Sequence, residues 1–225
     1  YHTWSKESTA APVLSQLELR LLTSMAVYHR RVLKNCDVKQ AFIQSKLPPE
    51  EEYFLRPPTD CPRSQPGQYW RLLRSLYGLK RAPKLWFEML SNHLKSMGLT
   101  CCESSPCLFT GVLLPGHPPI YVGIYVDDII YFSSSDAVEK QFETQLSTIG
   151  TVDFMGQVSL FLGTEFSWVH HPDGHVTVSF TQHSFIETLM ESLDVTAVKH
   201  SSFTSPYRSG YSIDSITTEN LSSSA

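Results

Sequence analysis

The sequence predicts a mixed α+β fold, and three observations support that prediction. Apolar residues recur at helical spacing in four segments, and short β-branched and aromatic runs separated by turn residues indicate two hairpins. Helical and strand-like segments alternate along the chain, an order that favours helices packed on a sheet. The chain has 225 residues, 41% of them hydrophobic, which is enough for a substantial core in one or two domains.

Two of the four helices are predicted before residue 100. The first spans residues 12 to about 30, and the second spans residues 83–97. The second begins with Pro83 and closes before Gly98, which matches the preference for Pro at the start of a helix and Gly after its end. The side chains predicted to face the core are Leu14, Leu17, Leu21, Leu22 and Met25 in the first helix, and Trp86, Met89, Leu90, His93 and Met97 in the second.

The other two helices are predicted from their caps. Asp136 and Glu139 form a capping-box pattern at the start of the third helix. Thr181 is the candidate cap of the fourth. The predicted buried faces are Phe142 and Leu146 in the third helix, and Phe185, Leu189 and Leu193 in the fourth.

The predicted strands include two hairpins and one single strand. Residues 120–126 and 129–132 form a hairpin with two adjacent acids at its turn. Residues 159–169 and 176–180 flank a Pro-Asp-Gly turn and form the second hairpin. A third strand-like run begins at Val32 and leads to Asp37.

The net charge of −4 conceals two halves of opposite sign. Residues 1–100 carry 15 Lys and Arg against 8 Asp and Glu, a net charge of +7. Residues 101–225 carry 3 against 14, a net charge of −11. The total argues against a nucleic-acid-binding protein, but the basic half is suited to meet an anion and the acidic half to hold a cation.

Cysteine usage and hydropathy exclude several classes of protein. The five cysteines are odd in number and form no CxxC pair, so neither a disulfide framework nor a zinc site is predicted. We expect reduced, mostly buried thiols of an intracellular protein. No apolar run approaches the roughly 18 residues of a membrane span, and the N-terminus lacks the pattern of a signal peptide. The chain begins without Met, so we expect a segment of a longer protein.

Three acids form the candidate chemical centre. Asp127 and Asp128 interrupt an apolar stretch, where ionised carboxylates are costly unless paired or bound to a metal. A solvated Asp-Asp turn is an equally open interpretation of that segment alone. Asp37 also follows an apolar run, and two strand-borne acids can meet on neighbouring strands. Converging carboxylates suit Mg²⁺, and two ions roughly 3.5–4 Å apart serve phosphoryl displacement.

These segments resemble a known family. The run Tyr125-Val126-Asp127-Asp128 resembles the YxDD box of reverse transcriptases, and residues 37–42 resemble their first acidic motif. Residues 75–86, SLYGLKRAPKLW, are similar to the SLYGLKQAPRAW signature of copia-type long-terminal-repeat retrotransposon polymerases. Residues 11–13, 106–109 and 161–163 fall in the family's order around these. The chain is identified, from about residue 11 to residue 207, as a member of that family.

The resemblance implies a fold and a division of the chain. The fold is that of a right-hand polymerase: a palm whose antiparallel sheet carries the acidic residues and packs on helices, with partial fingers and thumb. Residues 1–10 would be a linker or residual fingers, residues 11–200 the reverse transcriptase domain, and residues 201–225 a Ser-rich tail that is disordered in isolation.

The resemblance also implies the chemistry. The implied reaction is RNA-directed DNA synthesis, with two Mg²⁺ ions (or Mn²⁺) promoting nucleotidyl transfer from a deoxynucleoside triphosphate to a primer 3′-hydroxyl. Asp37, Asp127 and Asp128 match the catalytic acids, and the metal ligands would be Asp37, Asp127 and the carbonyl of Val38. Phe42 matches the residue that excludes a 2′-hydroxyl, although an ordinary core Phe is the alternative.

Further implied contacts concern the nucleotide and the nucleic acid. Those to the nucleotide are Phe42, Tyr77, Gly78 and Lys80. Those to the template or primer are Arg71, Arg74, Arg81, Lys84, Phe161, Leu162 and Gly163. The basic residues lie among Trp70, Tyr77 and Trp86, which offer stacking surfaces. The alternatives are a solvated basic face and, for residues 161–163, a buried strand.

The implied partners are an RNA template, a DNA primer–template duplex, a deoxynucleotide and the integrase and RNase H segments of the same polyprotein, without a membrane. The implied location is cytoplasmic, within virus-like particles. Two other functions stay open: a truncated, catalytically silent fragment or nucleic-acid-binding module, and a two-metal palm enzyme such as a nucleotide cyclase. The motif at Tyr77 and Gly78 disfavours the cyclase.

Overall fold

The computed structural model describes residues 10–63, 65 and 67–193. The predicted tail at 201–225, and residues 1–9 of the predicted N-terminal segment, lie outside the described residues. The chain divides into two compact units, the first ending at Thr181 and the second beginning at Gln182. In the first unit, the predicted combination of helices with antiparallel sheet is confirmed.

A six-stranded antiparallel sheet is the centre of the first unit, with strand order β4-β5-β6-β7-β1-β8. Its strands are β1 (Lys34–Val38), β4 (Thr100–Cys102), β5 (Ser105–Gly111), β6 (Ile120–Tyr125), β7 (Asp128–Ser133) and β8 (Val152–Gln157). A two-stranded sheet pairs β2 (Phe54–Leu55) with β3 (Trp70–Arg71). A three-stranded sheet contains β9 (Leu160–Phe161), β10 (Thr164–His170) and β11 (Val176–Thr181).

Helices cover both faces of the large sheet. The helices of the first unit are α1 (Gln16–Tyr28), α2 (Ala41–Gln44), α3 (Ala82–Ser96) and α4 (Asp136–Leu146). On β7, Ile129 and Tyr131 join the core formed with α3 and α4, whereas Ile130 and Phe132 join the core formed with α1. This alternation follows from the two-residue period of a strand and explains why β7 is an unbroken apolar run.

Helix α1 confirms the first helix prediction but corrects its buried face. The helix begins after Ser15, whose hydroxyl accepts from the backbone N–H of Glu18 while the Glu18 carboxylate accepts from Ser15. Leu17 and Leu21, predicted to be buried, are exposed, and Leu19 is buried. Leu14, directly before the cap, is buried as predicted, and its backbone N–H donates to the carbonyl of Ile124.

The capping box predicted for α4 is wrong. Ser135 occupies the N-cap position, and Asp136 pairs with Arg31 instead. The carboxylate of Glu139 is buried, where it accepts from the backbone N–H of Ser133 and lies 2.8 Å from Lys34 Nζ. Tertiary partners therefore replace the local cap. The predicted burial of Phe142 and Leu146 is confirmed.

Two predictions near the end of the described chain are corrected. The strand predicted over residues 159–169 is broken by a tight turn at Leu162 and Gly163, whose φ angles are +50° and +69°. Thr181 caps no helix, since it closes β11 and its hydroxyl donates to Glu165. In the second unit, α5 (His183–Ser192) begins after Gln182. The side chains predicted to be buried there are exposed: Phe185, Leu189 and Leu193.

Two other sequence predictions have a structural counterpart. All five cysteines are free thiols, as expected, but the prediction that most of them are buried is wrong, because only Cys36 and Cys107 are buried. In the part of the chain that the structure describes, no helix is both long and apolar enough to cross a membrane.

Candidate active site

The β6–β7 hairpin presents the two adjacent acids, as predicted. Tyr125 pairs with Asp128, which leaves Val126 and Asp127 as the two turn residues. Val126 has a φ of +57°, a left-handed conformation that is rare for a β-branched residue and is retained only where the surroundings enforce it. The turn that carries Asp127 is therefore strained.

Strand β1 brings Asp37 to this turn. Asp37 lies opposite Asp128 in the antiparallel register, and the backbone N–H of Val38 donates to the carbonyl of Asp127 at 3.0 Å. Val38 and Asp127 therefore form a hydrogen-bonded pair. The adjacent pair, Asp37 and Asp128, is a non-hydrogen-bonded pair, in which facing side chains are closest to each other. Three acids from distant parts of the sequence thus converge at one end of two neighbouring strands.

The electrostatics of this convergence are unfavourable without a cation. The pKa of Asp128 is raised to about 6, first by burial and then by the negative charges of Asp127 and Asp37. Both causes penalise the ionised form. A positive charge placed among these carboxylates would relieve that penalty.

Trp86 is a residue of this site that the sequence assigned to a different role. Its indole Nε1–H donates to the carbonyl of Val126 at 2.6 Å, so α3 holds the strained turn directly. Trp86 is buried, which confirms its predicted place on the core face of the second helix but corrects its other predicted role as a stacking surface for nucleic acid. The available signal was the type of residue, because a buried indole N–H requires an acceptor.

Lys39 and Asp153 extend the row of charges. Asp153 on β8 lies opposite Asp37, so Asp128, Asp37 and Asp153 occupy one row across three adjacent strands. Lys39 Nζ lies 2.7 Å from Asp37 Oδ2 and 3.1 Å from Asp153 Oδ2. No local sequence pattern indicates these contacts, because they depend on the pairing of β1 with β8.

The carboxylates at this site suit a divalent metal ion, although their side chains do not form a complete coordination shell. Carboxylate oxygens are the preferred ligands of Mg²⁺, which also retains water or phosphate oxygens. Among the described residues, no three His, Cys, Asp or Glu side chains are gathered closely enough to hold a metal ion. The Asp37 carboxylate is instead engaged with Lys39. The raised pKa of Asp128 is the observation that fits a cation here.

The predicted nucleotide contacts partly come together. The rings of Phe42 and Tyr77 are 4.7 Å apart, between α2 and the loop before α3. Gly78 has a φ of +96°, a conformation in which a side chain would be strained. Tyr77, Gly78 and Lys80 are all exposed. Phe42 is half-buried and packs against the core, so its alternative role as a core residue stays open.

The predicted nucleic-acid contacts of the basic cluster have internal partners. Three of the cations pair with carboxylates outside residues 71–84: Arg71 with Glu52 at 3.2 Å, Arg81 with Glu51, and Lys84 with Glu88 at 3.9 Å. Arg74 Nη1 donates to the carbonyl of Gln44 at 2.9 Å, at the end of α2. The cluster therefore also anchors the loop of residues 45–55.

Residues 161–163 lie beside the acidic hairpin. Phe161 is buried and contacts Tyr125 edge-to-face, with 6.5 Å between the ring centres. Leu162 is half-buried and Gly163 is exposed at the turn. The alternative of a buried strand is confirmed for Phe161, which ends β9, whereas Leu162 and Gly163 form a tight turn.

Comparison with known proteins agrees with this geometry. A family model described as reverse transcriptase (RNA-dependent DNA polymerase) matches residues 3–206. The chain belongs to the reverse transcriptase family. It is 32% identical over 157 residues, 70% of its length, to the retrovirus-related Pol polyprotein from transposon RE2 of Arabidopsis thaliana. It is also 32% identical over 144 residues, 64% of its length, to the putative transposon Ty5-1 protein of Saccharomyces cerevisiae.

These relatives place the reverse transcriptase domain among those of copia-type retrotransposons, as the motifs predicted. The Pol polyprotein from transposon TNT 1-94 of Nicotiana tabacum is 26% identical over 154 residues, 68% of this chain. The matched region covers 11% of the RE2 and TNT 1-94 polyproteins and 45% of the yeast protein. The chain thus corresponds to one segment of longer proteins.

Proposed function

We propose that this domain catalyses template-directed DNA synthesis by nucleotidyl transfer from a deoxynucleoside triphosphate to a primer 3′-hydroxyl. One observation carries the proposal: Asp37, Asp127 and Asp128 converge at one end of β1 and β7, and the pKa of Asp128 is raised to about 6 by burial and by the other two acids. Mutually repelling carboxylates at a strained turn are the arrangement expected of a cation site in a two-metal enzyme.

Asp37, Asp127 and the carbonyl of Val38 would hold two Mg²⁺ or Mn²⁺ ions, with Asp128 as the third acid. Such ions lower the pKa of an attacking hydroxyl and neutralise charge on the leaving pyrophosphate. Trp86 holds the turn through the carbonyl of Val126, and the backbone N–H of Val38 holds the carbonyl of Asp127, so the turn and β1 stay in register. This register keeps the acids at one end of β1 and β7, where side-chain movement would complete the cation site.

The pair Phe42 and Tyr77 would form one wall of the nucleotide site. Phe42 would lie under the sugar and exclude a 2′-hydroxyl by steric contact, because only a sugar without that oxygen fits. The exposed backbone at Gly78 and the ammonium of Lys80 would approach the nucleotide from the loop before α3. The contact between the two rings, tilted by 51° with their centres 4.7 Å apart, supports a fixed position for Phe42.

An RNA template and a primer–template duplex are the proposed partners. The turn at Phe161, Leu162 and Gly163 would position the primer end, since it touches the acidic hairpin through Tyr125. The cluster of Arg71, Arg74, Arg81 and Lys84 would contact phosphates where its internal pairs allow. In this proposal the large sheet and α3 and α4 are the palm, and the loop of residues 45–81 belongs to the fingers.

The wider setting is also a proposal. The named relatives are Pol polyproteins, which supports integrase and RNase H segments as further partners. Action in cytoplasmic virus-like particles, and a thumb that begins after the large sheet, follow from the resemblance alone.

Primer extension tests the proposal. The chain, and the longer polyprotein region that contains it, would be supplied with an RNA template, a DNA primer, deoxynucleotides and Mg²⁺ or Mn²⁺. We expect incorporation by the wild type, none by Asp127→Asn, and wild-type incorporation by Asp60→Asn, a charge-matched change in an exposed loop residue. Equal activity of Asp127→Asn and wild type would refute the assigned role of Asp127.

The silent-fragment alternative has a different signature. It predicts no incorporation by either protein, and Mn²⁺ binding would then report whether the acids still form a cation site. Cyclic nucleotide produced without a template would indicate a cyclase instead.

A further inference from the structure

The contact between Lys39 and Asp37 is unexpected beside a cation site. Lys39 follows Asp37 by two residues and lies in the turn directly after β1. The ammonium lies 2.7 Å from Asp37 Oδ2, which is an oxygen that a divalent ion would need. A lysine ammonium is a compact point charge on a flexible stem, and it can move without displacing the backbone.

Asp153 provides the ammonium with a second position. Its Oδ2 lies 3.1 Å from Lys39 Nζ, and its backbone lies opposite Asp37 on the edge strand β8. Lys39 and Asp153 are each about half exposed, at 50% and 55%, whereas Asp37 is only 24% exposed. The lysine is therefore shared between an inner carboxylate of the site and an outer one at its rim.

We propose that Lys39 is an internal cation that competes with a divalent ion for Asp37, and that Asp153 receives the ammonium when the ion binds. The inference rests on the proposed function, since it requires Asp37 to bind a divalent ion. Lys39 and Asp153 are positioning residues here: they set how readily Asp37 becomes a ligand. While the ion is absent, Lys39 reduces the repulsion among the carboxylates. When the ion binds, Asp153 accepts the ammonium, so Lys39 does not stay on Asp37.

A purely structural role predicts a different result. An exposed ion pair contributes only about 0–1 kcal/mol to stability, and β1 and β8 are already joined by a five-residue ladder. If Lys39 were only a strut between these strands, its replacement would lower stability slightly and leave ion affinity unchanged. The competition model predicts that ion affinity changes and that stability changes little.

The test measures Mn²⁺ binding to the full chain, with Mn²⁺ alone as the probe, by electron paramagnetic resonance and calorimetry. We expect Lys39→Met to bind Mn²⁺ on the order of tenfold more tightly, because a positive charge in contact with Asp37 is lost. Lys39→Arg should restore the lower affinity. Lys140→Met, which removes an exposed lysine from α4, is the charge-matched control and should bind as the wild type does. Thermal unfolding verifies that each variant is folded.

A double-mutant cycle tests Asp153 separately. Asp153→Asn should weaken Mn²⁺ binding several-fold, because the ammonium loses its second position and stays on Asp37. The same change in the Lys39→Met background should have a much smaller effect. Equal effects in both backgrounds would show only a general loss of negative charge and would overturn the role of Asp153. Asp60→Asn controls for net charge.

The outcomes separate this inference from the proposed function. If Asp127→Asn abolishes Mn²⁺ binding but Lys39→Met binds no more tightly than the wild type, the competition is refuted and the metal site stands. If neither the wild type nor Lys39→Met binds Mn²⁺, or if Asp127→Asn binds as the wild type does, the metal site and the competition both fail.

Discussion

The acidic hairpin and the basic cluster of residues 71–84 are both highly charged, yet they differ in how their charges are balanced. In the cluster, three cations pair with carboxylates and Arg74 binds backbone carbonyls. In the hairpin, Asp127 and Asp128 lie beside Asp37, and the pKa of Asp128 is raised first by burial and then by the negative charges of the other two acids. A charged group that is already paired within the fold stabilises the structure, whereas like charges that lie close together indicate a missing ligand.

The largest difference between the two regions should appear in activity. We expect Asp37→Asn to lower primer extension by about 10²–10⁴-fold, because losing a ligand of the cation site costs several kcal/mol of transition-state stabilisation. Arg71→Gln should change the same rate by less than about threefold, since its guanidinium is already paired with Glu52. Equal losses in the two variants would contradict the distinction between the regions.

The next largest effect concerns the support of the acidic turn. Trp86→Phe should lower the free energy of unfolding by about 2 kcal/mol, because the Val126 carbonyl loses its donor and a small cavity forms. Urea unfolding measures this change.

Trp168 offers a matched control for that substitution. Its Nε1–H donates to the carbonyl of Val158 at 2.7 Å, a bond of the same kind away from the acids. Trp168→Phe should cost comparable stability but leave Mn²⁺ affinity intact, while Trp86→Phe weakens it. Equal Mn²⁺ affinity in the two variants would show that Trp86 does not position the turn.

A smaller effect is expected from the pKa of Asp128. Its carboxyl ionises near pH 4 in the unfolded chain and near pH 6 in the folded one. Between these values the folded state binds more protons, so its stability falls as the pH rises. Asp128→Asn removes that loss. It should therefore match the wild type at pH 4 and exceed it by roughly 1 kcal/mol at pH 7.5, since solvent screening reduces the full effect of a two-unit shift.

The measurement is chemical unfolding in a chelating buffer at both pH values. Asp60→Asn, at an exposed loop position, should show no such dependence on pH. A stability difference that is the same at pH 4 and pH 7.5 would mean that neither burial nor the neighbouring acids raise the pKa of Asp128.

The smallest expected effect tests whether the basic cluster contacts nucleic acid at all. Glu52→Gln releases the Arg71 guanidinium, and it should change the free energy of unfolding by less than about 1 kcal/mol. If the cluster meets phosphates, this variant should bind a primer–template duplex more tightly and with a salt dependence steeper by about one unit. Unchanged affinity across salt concentrations would leave the cluster as a structural anchor.

Local patterns predicted the hairpin of the active site because its information is local. The β-branched runs on either side of Asp127 and Asp128 set both the strands and the turn. The position of Asp37 beside Asp128 is a pairing across about 90 residues. Two apolar runs that each lead to an acid suggested this pairing, and the family resemblance then supported it. No local sequence pattern indicates that β1 pairs with β8, so Asp153 was not predicted to lie beside Asp37.

The errors in the basic cluster and in α4 have the same physical origin. No acid lies within residues 71–84, so the cluster looked unbalanced, but its counter-charges come from Glu51 and Glu52 on a distant loop. At α4, local propensity assigned Asp136 and Glu139 to a cap, but these acids form ion pairs with Arg31 and Lys34. Partners of long charged side chains depend on tertiary structure, which single-segment patterns do not contain.

The register of β1 bears on whether a copy of such a retrotransposon still encodes a functional site. Asn35 and Asp37 face one side of the sheet, while Cys36 and Val38 belong to the core with α3 and α4. A one-residue insertion or deletion within β1 would turn Asp37 towards that core and place an apolar side chain beside Asp128. A degenerate copy of the element could therefore retain every residue of its acidic motifs and still lack a functional site. The length of β1 is thus as informative as the aspartates about whether a copy is active.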